Sequence, residues 1–203
     1  QQYAISLRGC ARSAFSIRRG VSQSLDALQH PLLRVTPERK IGLIVVSPDK
    51  GLAGSLVANI WKKTSTFLMD KGLTTKDVAI FAVGRKAHEY FSKRGFELLA
   101  TYDKWGDIAQ MSGIDPLAQK AENAFLSKEV DAVYIIYTQF HSTLNQEVVV
   151  RELFPISFAH VDEVVKGIVP EKGKFSHLTE EESPHVPEYT FEPGPSAVLD
   201  AII

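Results

Sequence analysis

Residues 41–54 read IGLIVVSPDKGLAG, and this stretch decides the fold. Ile41–Val46 holds only Ile, Leu, Val and one Gly, with no polar alternation. That is the pattern of a strand buried on both faces, which implies a largely parallel sheet with helices above and below. Fully burying each large side chain is worth about 1.5–3 kcal/mol, so this run alone can anchor a core. Pro48 lacks a backbone N–H and ends the ladder, while Gly51 and Gly54 let the turn pass close to its neighbours. Asp49 or Ser47 can then cap the helix that follows.

A glycine turn leading into a helix also offers free N–H groups for a phosphate, with Lys50 as a nearby cation. The usual fingerprints are missing. There is no G-x-G-x-x-G, and Lys50 precedes Gly51 instead of standing between a glycine and Ser/Thr. Strand-to-helix packing is the plainer reading of the turn. A small nucleotide- or phosphate-binding α/β enzyme using Gly51–Gly54 is the alternative.

Outward from this stretch, strand and helix patterns alternate. Leu52–Met69 reads as an amphipathic helix with Leu56, Ile60, Phe67 and Leu68 inward and Lys62 and Lys63 outward, stopped by Lys71-Gly72. Val78–Val83 is a second buried strand ending at Gly84. Ala87, Tyr90 and Phe91 mark a short helix ended by Gly95. Phe96–Tyr102 reads as a third strand, Asp103–Asp107 as a loop, and Pro116–Leu126 as a helix with Leu117, Ala121, Ala124 and Phe125 on one face. Ala132–Tyr137 is a fourth strand, and the mixed polarity of Val148–Phe154 suits a sheet edge. The predicted class is α/β: a Rossmann-like, doubly wound sheet of about five strands flanked by helices.

Both flanks differ from this centre. The first 29 residues carry Arg8, Arg12, Arg18 and Arg19 and no acid before Asp26, a composition that fits a mitochondrial transit peptide. The same residues also carry a heptad seam through Leu7, Cys10, Ala14, Ile17, Val21, Ser24 and Leu28. As a helix it is about 43 Å long, so it projects and needs a partner. No second long heptad pattern occurs in the chain. Residues 160–187 hold the Glu180–Glu182 run among prolines and glycines and read as a variable loop, after which Pro195 opens a helix through Ile203. That helix stops on apolar residues and the chain starts on Gln1, so both ends read as cut. The expected division is a helical stub at 1–30, the α/β domain at 31–187, and an extended piece with a truncated C-terminal helix at 188–203.

Composition excludes several classes. The chain has 203 residues and a formal net charge of −1, which argues against bulk nucleic-acid binding. A single cysteine, Cys10, rules out an internal disulfide and fits a reducing compartment. No apolar run reaches the ~20 residues that span a bilayer, so membrane association is expected only through partners. His160, His177 and His185 share a loop with Glu180–Glu182, but no paired-histidine spacing supports a metal. A solvated acidic loop is the simpler reading. No G-x-S-x-G elbow and no carboxylate pair stands out, so neither catalyst nor cofactor is expected. Trp61 and Trp105 are expected as half-buried packing residues or partner contacts.

Three blocks carry a family resemblance. Ser47, Asp49, Lys50, Gly51, Leu52, Ala53, Gly54 and Ser55 are similar to a strand-turn block reading S-x-D-[RK]-G-L-C-G-G. Asp131–Ile156 (DAVYIIYTQFHSTLNQEVVVRELFPI) resembles a fourth strand, crossover and edge strand, and Tyr189–Ile203 (YTFEPGPSAVLDAII) resembles a Y-x-[FY]-E-P-x-P-x-x-L-L-D block. Together they resemble the gamma subunit of F-type ATP synthases, of bacterial type, with both long coiled-coil helices largely missing. Ala53, Ser55 and Val57 depart from the family's usual cysteine, glycine and asparagine, and the basic I-T-K-A-M-type start is absent. The resemblance implies a non-catalytic rotor subunit with no cofactor, whose partners are the membrane c-ring, the epsilon subunit and the catalytic alpha/beta hexamer. It implies that Tyr189 and Glu192 lie at the polar loops of the ring. Asp49 and Lys50 would lie near the acidic lever of a catalytic subunit. The plain alternatives are a helix cap and a solvated lysine for the second pair, and edge packing and a surface charge for the first. The implied location is the cytoplasmic face of a bacterial plasma membrane, or the matrix side of the mitochondrial inner membrane.

Overall fold

The computed structural model describes residues 31–50, 54–103, 111–140 and 145–156. The chain divides into two units, Gln1–Arg34 with Ile156–Ile203, and Val35–Pro155. In the first, the described part is a 3-10 turn at Pro31–Leu33 and Ile156, whose N–H donates to the Leu32 carbonyl at 2.8 Å. The expected N-terminal helix, variable loop and C-terminal helix fall on residues outside the described ones.

The second unit runs β1 (Ile41–Val46), α1 (Ser55–Asp70), β2 (Val78–Val83), α2 (Arg85–Ser92), β3 (Glu97–Tyr102), α3 (Met111–Leu126), β4 (Ala132–Phe140) and β5 (Gln146–Phe154). The five strands form one sheet in the order β3-β2-β1-β4-β5. β1 pairs parallel with β2 (Ile41↔Val78 to Val46↔Val83) and with β4 (Ile41↔Ala132 to Val45↔Ile136). β2 and β3 are also parallel, and β5 alone runs antiparallel, on β4. The expected α/β class, the strand count and the edge position of β5 all hold. Ile41–Val45 and all of β2 are buried, as uninterrupted apolar runs require.

One sheet face carries Ile41, Leu43, Val45, Val78, Ile80 and Ile136, packed against Ile60 and Leu68 of α1 and Ala87 and Phe91 of α2. A right-handed crossover from β3 to β4 returns across the sheet on the opposite side, which is where α3 belongs. Leu117, Ala121, Ala124 and Phe125 of α3 are buried, and the Phe125 ring stacks on Phe154 at 5.5 Å. Gly42 sits within the crowded centre of β1. A Cβ there would lie 3.1 Å from Phe81 Cε2 and 3.3 Å from Val133 Cγ2.

The helices refine the sequence reading. In α1 the inward face includes Thr64 as well as Ile60 and Leu68. Its hydroxyl donates to the Ile60 carbonyl at 2.8 Å, so a polar residue is buried without an orphaned group. Lys62 and Lys63 are exposed, as expected. Lys71 and Gly72 (φ +66°) end the helix, with the Leu73 N–H returning to the Leu68 carbonyl at 2.9 Å. α3 begins at Met111 and carries Pro116 inside it, whereas the sequence placed Pro116 at its start. Pro116 removes one donor from the ladder, and its carbonyl accepts the Tyr102 hydroxyl at 3.2 Å. β4 continues past Tyr137 to Phe140 and β5 starts at Gln146, because Thr138–Phe140 pair with Val148–Gln146. An edge pair needs no continuous apolar run, so that extension was not visible in the hydropathy.

Candidate functional site at the exit of the central strand

β1 does not release its chain at Val46. The Ser47 N–H donates to the Val83 carbonyl at 2.8 Å, which keeps the β1 and β2 ends joined for one more residue. Beyond it the turn lies across the start of α2. The Ser47 hydroxyl accepts the Ala87 N–H at 2.8 Å and donates to the Val83 carbonyl at 3.2 Å. Asp49 Oδ1 accepts the Arg85 N–H at 2.9 Å, and the Pro48 carbonyl accepts the Lys86 N–H at 3.4 Å. Three N–H groups of the first turn of α2 are thus taken by consecutive residues of another element. A helix start exposes such groups and carries the positive end of the helix dipole, so a resident carboxylate is well placed there.

This corrects the expected cap. The sequence points to Asp49 or Ser47 as the cap of the helix that follows them. Gly54 instead occupies the N-cap of α1 and supplies no side-chain hydrogen bond. The parallel pairing of β1 with β2 brings the β1 exit beside the start of α2, and the two caps follow that spatial neighbour.

Glycine use is corrected too. The Gly54 backbone, at φ +55° and ψ −135°, is one that side chains resist, but among the described residues nothing lies within 4 Å of where its Cβ would be. Its role is conformational and not close approach; Gly51 lies outside the described residues. The close approach occurs at Gly84 (φ +88°), where a Cβ would fall 1.9 Å from the Ser47 carbonyl oxygen. The sequence reading saw Gly84 only as a strand end. Its N–H donates to the Tyr102 carbonyl at 2.7 Å, so this glycine ties the ends of three adjacent strands.

Of the residues singled out from sequence, Asp49 is half-buried and Lys50 is exposed beside it. Tyr189, Glu192, Trp105 and the loop histidines lie outside the described residues. Among the described residues no group of three or more His, Cys, Asp or Glu is placed to hold a metal ion, and no helix is long and apolar enough to cross a membrane. Trp61 is half-buried, stacked on Tyr90 at 4.2 Å and edge-on to Phe91 at 5.7 Å.

A second polar cluster sits at the opposite end of the strands. Tyr134 of β4 donates its hydroxyl proton to Glu38 at 2.6 Å, and Lys71 donates to the same hydroxyl at 2.9 Å while pairing with Glu38. Glu152 of β5 lies 3.4 Å from that hydroxyl, and the Lys71 ammonium sits 4.6 Å from the Tyr134 ring centre. Burial, then the Glu38 hydrogen bond and the charge of Glu152, push the phenol pKa far above its ordinary 10.0. The four residues are distant in sequence.

The family model described as ATP synthase matches residues 1–203. The chain belongs to the ATP synthase family. Within that family it is similar to gamma chains. It is 34% identical over 173 residues to the ATP synthase gamma chain of Roseiflexus castenholzii, covering 85% of this chain and 53% of that one. It is 28% identical over 203 residues to the gamma chain of Heliobacterium modesticaldum, covering 100% and 64% respectively. The chain thus spans about half the length of the ATP synthase gamma chains it matches first. Among solved structures it resembles a chain of the Tetrahymena thermophila mitochondrial ATP synthase central stalk and c-ring. The TM-score is 0.54 at 15% identity, with 98% of this chain and 85% of that chain covered. That likeness supports the fold alone.

Proposed function

We propose that this chain is the globular part of the gamma subunit of an F-type ATP synthase, a non-catalytic rotor element. It couples rotation of a membrane ring, driven by ion flow, to ATP synthesis or hydrolysis in a catalytic alpha/beta hexamer. The observation that carries the reading is the family match along the whole chain, with gamma chains as the relatives. The exit of β1 is consistent with it, since the N–H groups of α2 are engaged by the chain's own Asp49 and Ser47. A stiff, self-satisfied turn suits transmission of force.

In this reading residues 1–30 and 188–203 are the stubs of two long helices that wind together, and 31–187 is the foot of the stalk. The foot meets the c-ring and the epsilon subunit, with Tyr189 and Glu192 at the polar loops of the ring. Asp49 and Lys50 approach an acidic segment of a catalytic subunit. The bacterial relatives favour the cytoplasmic face of a plasma membrane.

The test is replacement of the matching segment of a bacterial gamma chain by this chain in a reconstituted complex. Retention of ATP-driven proton pumping is expected. ATP hydrolysis that persists without pumping would count against the proposal. Calorimetric titration with ATP, ADP and NAD addresses the enzyme alternative, for which micromolar saturable binding at Gly51–Gly54 is the signature.

A further inference from the structure

The chain enters the Val35–Pro155 unit through a segment that buries almost nothing. Val35 is 81% exposed, Pro37, Glu38 and Arg39 are exposed as well, and the first buried apolar side chain of the unit is Ile41. A segment with so few apolar contacts opens locally unless polar groups hold it. Here they do, and they converge on one residue. Asp131, immediately ahead of β4, accepts the Arg39 and Lys40 N–H groups on Oδ2, both at 3.0 Å. Its own N–H donates to the Lys40 carbonyl at 2.7 Å, and its carbonyl accepts the Thr36 hydroxyl at 3.4 Å. One residue thus grips both ends of Thr36–Lys40, and the bonds at its carboxylate are charge-assisted, the stronger kind. The side chains of the segment reach outward to further elements. Glu38 pairs with Lys71 at the end of α1 and accepts the Tyr134 hydroxyl of β4, and Lys40 Nζ lies 2.8 Å from Glu97 of β3. Pro37 fixes one backbone angle between these holds.

We infer that Thr36–Lys40 is a force-carrying strap, and that Asp131 is the positioning residue that passes force from the incoming chain into the sheet. This rests on the reading of the chain as a rotor element, in which torque arrives along the residues ahead of the strap. Covalent continuity alone would deliver that torque to β1 through a slack tether. The grip of Asp131, with the Glu38 and Lys40 pairs, spreads it over β4, α1 and β3 and removes the slack. Asp131 acts on backbone N–H groups, so its acceptor oxygen matters more than its charge. Glu38 is the lesser hold, since its side chain and that of Lys71 are each 30% exposed.

The test places this chain in an assembled complex, holds the catalytic hexamer fixed, and records the angular variance of a probe on the membrane ring. Asp131→Ala should roughly double that variance, Asp131→Asn should raise it less, and Glu38→Ala should give a small increase. Hydrogen exchange in the same complexes separates a released strap from an unfolded domain. The Arg39 and Lys40 amides should exchange faster in Asp131→Ala, while the Ile44 and Val45 amides of β1 keep the parent's protection. Where Asp131→Ala does not fold, Asp131→Asn and Glu38→Ala carry the test. Faster exchange at Arg39 and Lys40 with unchanged variance would overturn the inference, because the strap would then open without bearing force. Unchanged exchange there would overturn the role of Asp131. A parent chain that pumps, with all three variants at its variance, strikes the strap alone. A parent chain that assembles and does not pump strikes the rotor reading, and the strap's role with it.

Discussion

The two ends of the parallel strands solve the same problem with different chemistry. At the exit of β1, side chains meet backbone: Ser47 and Asp49 each take an N–H of α2. At the entrance, side chains meet side chains: Glu38, Lys71 and Tyr134 form a closed triangle with Glu152 at its edge. A backbone donor cannot be titrated or rotated away, so the first end is fixed by the chain's path. The second depends on four separately anchored groups and on their ionisation. The lesson is that the exit is built for shape and the entrance for charge.

The sharpest way to break that comparison is Gly84→Ala. Its methyl would collide with the Ser47 carbonyl, which flexible side chains cannot relieve. A loss of about 3 kcal/mol or more is expected in denaturant unfolding. Gly72→Ala is the control, since its φ is also positive but its surroundings are open; about 1–2 kcal/mol is expected.

At the entrance, Tyr134→Phe removes a donor from Glu38 and an acceptor from Lys71 and should cost about 1–3 kcal/mol by the same measurement. Asp49→Ala should cost about 1 kcal/mol, typical of a lost cap, and Asp49→Asn less.

Titration at high pH should act most strongly at the entrance, although burial also raises the Tyr102 phenol at the end of β3. The Tyr134 proton is held more tightly in the folded chain than at the ordinary 10.0, so the native state binds more protons than the unfolded one above that pH. Stability should therefore be intact below about pH 10 and fall as pH rises beyond it. Tyr134→Phe should flatten that decline in pH-dependent thermal melts. The smallest effect belongs to Asp77, an exposed carboxylate held below its usual 3.8 by the Thr74 hydroxyl and amide. Its contribution is present above that value and lost as pH falls through the lowered one, which NMR titration of the Thr74 amide would follow.

These regions were unequally legible. β1 and β2 announced themselves, because a strand covered on both faces must be apolar at every position. The edge strand β5 was legible for the opposite reason. The cap at α2 was not, since capping logic looks forward along the chain whereas Ser47 and Asp49 lie 40 and 36 residues from their partners. Gly84 is legible only in part: sequence marks a glycine but not the carbonyl oxygen opposite it. Glu38, Lys71, Tyr134 and Glu152 had no local pattern, and only the sheet register, which sets Tyr134 against Glu152, brings two of them together.

The reversed direction of β5 has a bearing on the molecule as a part. Because β5 ends at Phe154, opposite Val133 near the start of β4, the Val35–Pro155 unit receives and returns its chain at the same end of the strands. A unit with adjacent entry and departure points can be lifted out or exchanged without altering the spacing of whatever flanks it. Evolution or an engineer could therefore swap this unit for another, as one changes a socket on a wrench.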